Sequence, residues 1–444
     1  MTYTRRSRRG LMIAGLGLSA LFATGAVAPV ATAEATGPGT GQSSVAETAA
    51  SPGSGPASSA LDRQALARTL EAVHEAGMYG VYSSVRDRWA SWDGAAGVAD
   101  VETRRPVKAK TLHRVGSITK TFTAVAILQQ VEKGRIDLDA PVARYRPALL
   151  PPSLGQKVTV RMLLNHTSGI GDYVLSAFPS LASGSAASLD EHRFRDIPPR
   201  ELVRLGVKAQ PTGAPGERWS YSNTNYVILG LLLETVTGAD AETYITENVI
   251  RRAGLRDTFF PRGATIPGRH SRAYESFYGF IDPPRDYSVY DMSWASTAGA
   301  IVSTTADLDR FYRQLLGGGL LPAAQLEQMR TTVPVTNEQG EVMIHYGLGI
   351  YAQDLPCGRF WGHDGAVFGM GTLSLSSPDG NRQISLGHNL MKYQRFDDNG
   401  VLQPHPIDFA LGEHVLRALC GSGATAAKGA PFVPFPTQQV LVKR

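Results

Sequence analysis

The sequence predicts an α+β fold in which an antiparallel sheet, flanked by helices, carries an inserted and mostly helical lobe. Three observations lead there. Strand-like runs sit near both ends of the ordered part, at 79–98 and at 346–388, with helical patterns and long Pro- and Gly-rich loops between them. The last two runs are joined by Pro378-Asp379-Gly380-Asn381, a strong hairpin signal. Helical patterns also flank the strands at either end, and such elements bury their apolar faces against a sheet.

The elements follow in chain order. Arg5, Arg6, Arg8 and Arg9 precede an apolar stretch from Leu11 to about Val27, and Ala31-Thr32-Ala33 offers the small residues a signal peptidase accepts. Residues 1–33 therefore read as a cleaved signal peptide, and the product as secreted. Ser7-Arg8-Arg9-Gly10 also resembles a twin-arginine signal. Residues 34–59 are Gly, Ser, Ala, Pro and Thr with almost no large apolar side chain, so they read as a disordered linker. A domain is expected over 60–420. It opens with Leu66, Leu70 and Val73 at helical spacing and Gly77 as a stop. Strand-like runs at Tyr79–Val85 and Arg88–Val98 come next, and a helix starts at Ser117 and stops at Gly134. Helices are expected at Pro199–Leu205, Tyr226–Val236, Ala239–Ala253, Thr305–Leu316, Ala323–Met329 and Pro406–Cys420. Strands are expected at Tyr346–Tyr351, Arg359–His363, Gly371–Ser376 and Gln383–His388. The tail, 421–444, is too short and Pro-rich to anchor in a membrane.

With 444 residues, 43% of them hydrophobic, the chain can bury a core without metal or disulfide staples. Cys357 and Cys420 are its only cysteines, which excludes a Cys-rich scaffold or a Cys-based zinc cluster and, in an exported chain, leaves one disulfide pairing. Lys and Arg number 44 against 39 acids, but four of the arginines lie in the leader. The mature chain is nearly neutral, so nucleic-acid binding loses its support. No metal-ligand spacing occurs, so no metal or other cofactor is expected. The nucleophile elbow Gly-x-Ser-x-Gly is absent as well, which argues against a lipase-type α/β-hydrolase.

Three motifs carry chemistry. In Ser117-Ile118-Thr119-Lys120, a serine that needs a base has a lysine one helical turn away. The dipole of the helix N-terminus and desolvation both disfavour the ammonium, and the free N–H groups there supply half an oxyanion hole. It is the one Ser-x-x-Lys among nine lysines. Tyr221-Ser222-Asn223 adds a phenol that can pass a proton and an amide that can hold Lys120 and a substrate carbonyl. His363-Asp364-Gly365 is read as an exposed edge strand, with Gly365 admitting substrate backbone, the Ala366 N–H completing the oxyanion hole, and His363 titrating near neutrality. His345-Tyr346-Gly347 has the same spacing and competes with it.

In this order the three motifs resemble those of the penicillin-recognising serine hydrolases. The chain is similar to the soluble, exported serine D-alanyl-D-alanine carboxypeptidases of actinomycetes, and more broadly to class C β-lactamases and their esterase relatives. The stretches HRVGSITKTFTAVAILQQVEKGRIDLDAPV, TVRMLLNHTSGIGDY, APGERWSYSNTNYVILGLLLETVTG and SWASTAGAIVSTTADLDRFY carry the likeness across roughly 80–420. The resemblance implies a serine β-lactamase/DD-peptidase-like fold and acyl transfer. Ser117 attacks, Lys120 and Tyr221 form the base system, and the oxyanion lies between the N–H groups of Ser117 and Ala366. Phe178 and Trp294 match aromatics lining the cleft. Where the carboxypeptidases bind a terminal carboxylate with two threonines and an arginine, this chain has Asp364, Ala366 and Tyr351. An Asp364 that faces the cleft would put two like charges about 4 Å apart, which at an effective dielectric of ~20 repel by about 4 kcal/mol and disfavour a free carboxylate. The implied partners are small peptide, ester or β-lactam substrates, handled by a monomer. A D-Ala-D-Ala carboxypeptidase heads the possibilities. An esterase, D-amino-acid amidase, aminopeptidase or β-lactamase follows, then a non-catalytic wall-peptide or β-lactam sensor.

Overall fold

The computed structural model describes residues 61–337 and 340–421. The leader at 1–33, the linker at 34–59 and the tail beyond 421 lie outside the described residues. The centre is a nine-stranded antiparallel sheet. Its strands are β1 (Gly80–Asp87), β2 (Ala90–Asp100), β3 (Arg105–Pro106), β4 (Val333–Thr336), β5 (Val342–Tyr346), β6 (Tyr351–Leu355), β7 (Gly358–Val367), β8 (Met370–Ser376) and β9 (Arg382–His388). Their order is β3-β2-β1-β9-β8-β7-β6-β5-β4. Strands from the two ends of the chain thus meet at β1 and β9, with Val81 opposite His388.

One face of the sheet is covered by α1 (Arg63–Glu75) and α8 (Pro406–Cys420). Asp62 caps α1 through Ala65 N, and Leu66, Leu70 and Val73 pack with Ile407, Leu411 and Val415 over Val81, Val85, Leu373 and Ile384. The other face meets α2 (Thr119–Glu132) and α6 (Thr305–Leu316), whose Phe122 and Phe311 rings stack 3.7 Å apart. Helix α2 is buried from Thr119 to Gln130, polar Lys120, Gln129 and Gln130 included. The lobe between includes α3 (Pro199–Lys208), α4 (Asn223–Thr237) and α5 (Ala241–Ile245), and α7 (Ala323–Arg330) leads back to the sheet. Cys357, in the turn between β6 and β7, is bonded to Cys420 at the end of α8, with Cα atoms 5.4 Å apart. Among the described residues no helix is long and apolar enough to cross a membrane.

Three expectations change. The run at Tyr346–Tyr351 is not a strand but the connection between β5 and β6. Gly349 has φ +72°, and a Cβ there would meet Ala124 Cβ at 2.5 Å, so the chain turns tightly against α2. The helix expected over Ala239–Ala253 is α5 followed by a π-helical turn at Thr246–Ile250. Strand β7 is interior, lying between β6 and β8, and the sheet's edges are β3 and β4.

Candidate active site

The chain enters α2 through a 3-10 turn at Gly116–Ile118. Gly116 has φ +54°, and a Cβ on it would come within 2.7 Å of the Ala366 nitrogen. On β7, a Cβ on Gly365 would lie 2.0 Å from Val115 O and 2.9 Å from Ser117 N. The two glycines therefore let the turn that carries Ser117 and the part of β7 that carries Ala366 approach backbone to backbone. Ser117 and Ala366 are partly exposed while their chain neighbours are buried, so the site opens to solvent there.

One turn further on, Lys120 is fully buried and its Nζ has three partners. They are Ser117 Oγ at 3.0 Å, Asn223 Oδ1 at 2.8 Å and the Ala298 carbonyl at 2.8 Å. Desolvation lowers its pKa from 10.5 to about 7, although the Asp172 and Asp364 carboxylates pull it upward. A neutral amine has two N–H groups and one lone pair. The Ala298 carbonyl can only accept, and so can Asn223 Oδ1, which leaves the lone pair for the Ser117 hydroxyl.

Asn223 is the first residue of α4. Its backbone N–H and its Nδ2 both donate to Asp172 Oδ2, at 2.7 and 2.8 Å, and Asp172 Oδ1 accepts from Val174 N at 2.8 Å. Tyr221 precedes the helix and is buried, with its ring centroid 4.9 Å from Lys120 Nζ. Burial raises its pKa well above the ordinary value, the Ser117 hydroxyl pulls the other way, and Asp364 adds to the rise. Tyr221 is therefore a protonated phenol at neutral pH, which suits an acid rather than a base. Behind it, the His166 ring lies tilted at 32° with its centroid 4.3 Å from that of Tyr221 and accepts the Ser222 N–H at Nδ1.

Sequence reading and structure part company over His363. It is wholly buried on an interior strand, with Nδ1 against the Asp364 carbonyl and Nε2 2.8 Å from the Tyr346 hydroxyl. Burial depresses its pKa from 6.5 to about 3, so it stays neutral where titration was expected. In the neutral ring Nδ1–H donates to the carbonyl, which leaves Nε2 to accept from the Tyr346 hydroxyl. Asp364 is equally buried rather than exposed as a substrate contact, and it acts on Lys120 and Tyr221 through its charge. Tyr351 is not at a substrate surface either: it is buried 5.4 Å from the His363 ring, with its pKa pushed up by burial and then by Asp364. The competitor His345 lies on β5, 4.0 Å from Asp354.

Phe178 and Trp294 do come together, edge to face at 5.8 Å, and both pack against Phe368, at 5.6 and 5.1 Å. Phe368 lies in the turn after β7, two residues beyond Ala366, and none of the sequence motifs reaches it. Asp172 and Ala298 also escaped sequence reading. Asp172 lies inside TVRMLLNHTSGIGDY, but its part is set by a tertiary contact with α4. Ala298 contributes a backbone carbonyl, which any residue would carry.

The arrangement can activate a serine hydroxyl, hold an oxyanion between two backbone N–H groups and deliver a proton from a phenol. The family model described as Beta-lactamase matches residues 63–400. Penicillin-binding protein 4* of Bacillus subtilis is 30% identical over 301 residues, 65% of this chain and 63% of its own length. Esterase EstB of Burkholderia gladioli is 34% identical over 214 residues, 46% of this chain and 54% of its own. This chain thus spans less than two thirds of either relative. A solved D-stereospecific amidohydrolase from Streptomyces superposes with TM-score 0.71 at 34% identity, covering 82% of this chain and 100% of that one.

Proposed function

The chain belongs to the β-lactamase family of penicillin-recognising serine hydrolases, and on that premise we propose that it cleaves small amides and esters whose leaving group has no free carboxylate. The observation that carries the reading is the contact of Lys120 Nζ with Ser117 Oγ at 3.0 Å, in surroundings that bring the lysine pKa to about 7. As Ser117 Oγ bonds to the substrate carbonyl carbon, its proton passes to Lys120 and the carbonyl electron pair moves onto the oxygen held by the Ser117 and Ala366 N–H groups. Collapse breaks the bond to the leaving group, which takes a proton from Tyr221, and Lys120 returns one to the phenol. Water then enters by the same route and frees the acyl group. Loss of an oxyanion donor in such chemistry typically costs about a hundredfold or more.

Specificity follows from the groups that are replaced. The positions where a carboxypeptidase would bind a terminal carboxylate hold Asp364, Ala366 and Tyr351, a buried acid, a methyl and a buried phenol in place of two hydroxyls and a cation, while Asp172 and Asp364 add negative charge near Lys120. The likeness to a D-stereospecific amidohydrolase supports an amide substrate. The leader and the Cys357–Cys420 bond support export.

Hydrolysis of an acyl-D-Ala-D-Ala, its C-terminal amide and a simple ester, measured side by side, tests the preference. We expect kcat/KM for amide and ester to exceed that for the free acid by roughly tenfold or more, the factor that ~1.4 kcal/mol of repulsion produces. A free acid turned over best by a wide margin would restore the carboxypeptidase reading and remove this one.

A further inference from the structure

We propose that Asp172 is a positioning residue that fixes the direction in which Lys120 takes a proton, by locking the Asn223 amide. The inference rests on the proposed acyl-serine chemistry. A side-chain amide can present either its oxygen or its NH2 to a neighbour, and the two choices are opposite for Lys120. With Oδ1 toward Nζ, the amide consumes one N–H of the amine. With Nδ2 toward Nζ, it would donate to the lone pair and take away the base.

Asp172 decides between them. A carboxylate only accepts, so Asn223 Nδ2 must turn to Asp172 Oδ2, 2.8 Å away, and Oδ1 is left facing Lys120 Nζ at 2.8 Å. The Ala298 carbonyl takes the second N–H at 2.8 Å. The lone pair then points to Ser117, whose Oγ–H bond breaks as the new Nζ–H bond forms. Asp172 also caps α4 through the Asn223 backbone N–H and holds Val174 N, two contacts that serve the fold alone. The Nδ2 contact is the one that reaches the chemistry.

Titration separates the two roles. The groups acting on Lys120 are Asp172 from the loop before Val174, Asp364 and the neutral His363 from β7, and Tyr221 and Tyr226 from α4 and the residues leading into it. Removing the Asp172 charge takes away an influence that raises the lysine pKa, so the acid limb of the rate profile should move to lower pH.

The test measures the rate of Ser117 acylation by p-nitrophenyl acetate against pH, with the Lys120 titration followed in parallel by NMR of labelled lysine. Asp172→Asn is expected to lower the plateau rate by roughly a hundredfold, within the range general bases supply, and to shift both the limb and the NMR titration downward. Asp172→Glu keeps the charge but displaces the carboxylate. It is expected to lose rate while its limb moves less, and it carries the test if Asp172→Asn fails to fold. In the double variant with Asn223→Ala, the loss should not exceed that of the worse single variant. Folded Asp172→Asn with an unmoved limb and unmoved lysine titration, or folded Asp172→Glu with an undiminished plateau rate, would reduce Asp172 to a helix cap and overturn the proposal. Wild-type protein that is never acylated at Ser117 would instead remove the proposed function. The lysine titration would still report whether Asp172 acts on Lys120.

Discussion

Opposing effects meet at Lys120. Burial favours the free amine, and the Asp172 and Asp364 carboxylates favour the ammonium, yet the balance comes to about 7. In the proposed mechanism the amine is the proton acceptor, so kcat/KM should rise as pH passes upward through about 7 and flatten above it. The limb should fall lower in Asp364→Asn, where one of those carboxylates is gone. It should stay in place in His363→Asn, because His363 is already neutral there and takes up a proton only as pH falls to about 3. A wild-type profile flat through neutrality would contradict the assignment of Lys120. At this scale the sequence showed which residues to look at and not always what they do. Ser117, Lys120, Tyr221 and Asn223 are legible because their types and spacing define the chemistry. The neutrality of His363 is not, because it depends on the Tyr346 hydroxyl and on how much of the sheet lies over it.

Elements bring these groups together by close backbone approach. Gly365 is the tightest point, where a methyl group would sit 2.0 Å from the Val115 carbonyl. Gly365→Ala should push the Gly116–Ile118 turn off β7 and separate the two oxyanion donors. A fall in kcat of about a hundredfold or more is expected, with the far-UV circular dichroism of wild type; near-normal kcat would show that the N–H pair does not depend on this contact. Legibility among the elements follows their local signals. Helices α6 and α8 were read to their observed ends, because Thr304 and His405 cap them and apolar periodicity fills them. The run YGLGIY was misread as a strand because its apolar content outweighed its glycines, although Gly349 takes the turn. The place of β7 inside the sheet follows from the hairpin of β5 and β6 and the addition of β4, and nothing in RFWGHDG encodes that.

Over the whole molecule, the site exists because distant stretches are drawn to one point. The turn before α2 supplies Ser117, α2 supplies Lys120, the approach to α4 supplies Tyr221, β7 supplies Ala366, and the short helix at Ser296–Gly299 supplies the Ala298 carbonyl. Strands from both ends of the chain close the sheet at β1 and β9. The lobe inserted between them carries Asp172, Tyr221 and Asn223 to the face where Ser117 lies. The alternation of strand-like ends and a helical middle was enough to foresee this architecture, while the contacts that complete the site had to await the fold. The central claim is that Ser117 becomes acylated. Intact-mass and peptide mass spectrometry of the protein, quenched in acid after exposure to the neutral ester p-nitrophenyl acetate, tests it most directly. One acyl adduct, located on Ser117 and missing from Ser117→Ala, is the predicted result; an adduct that survives in Ser117→Ala, or that maps to another residue, would contradict the account.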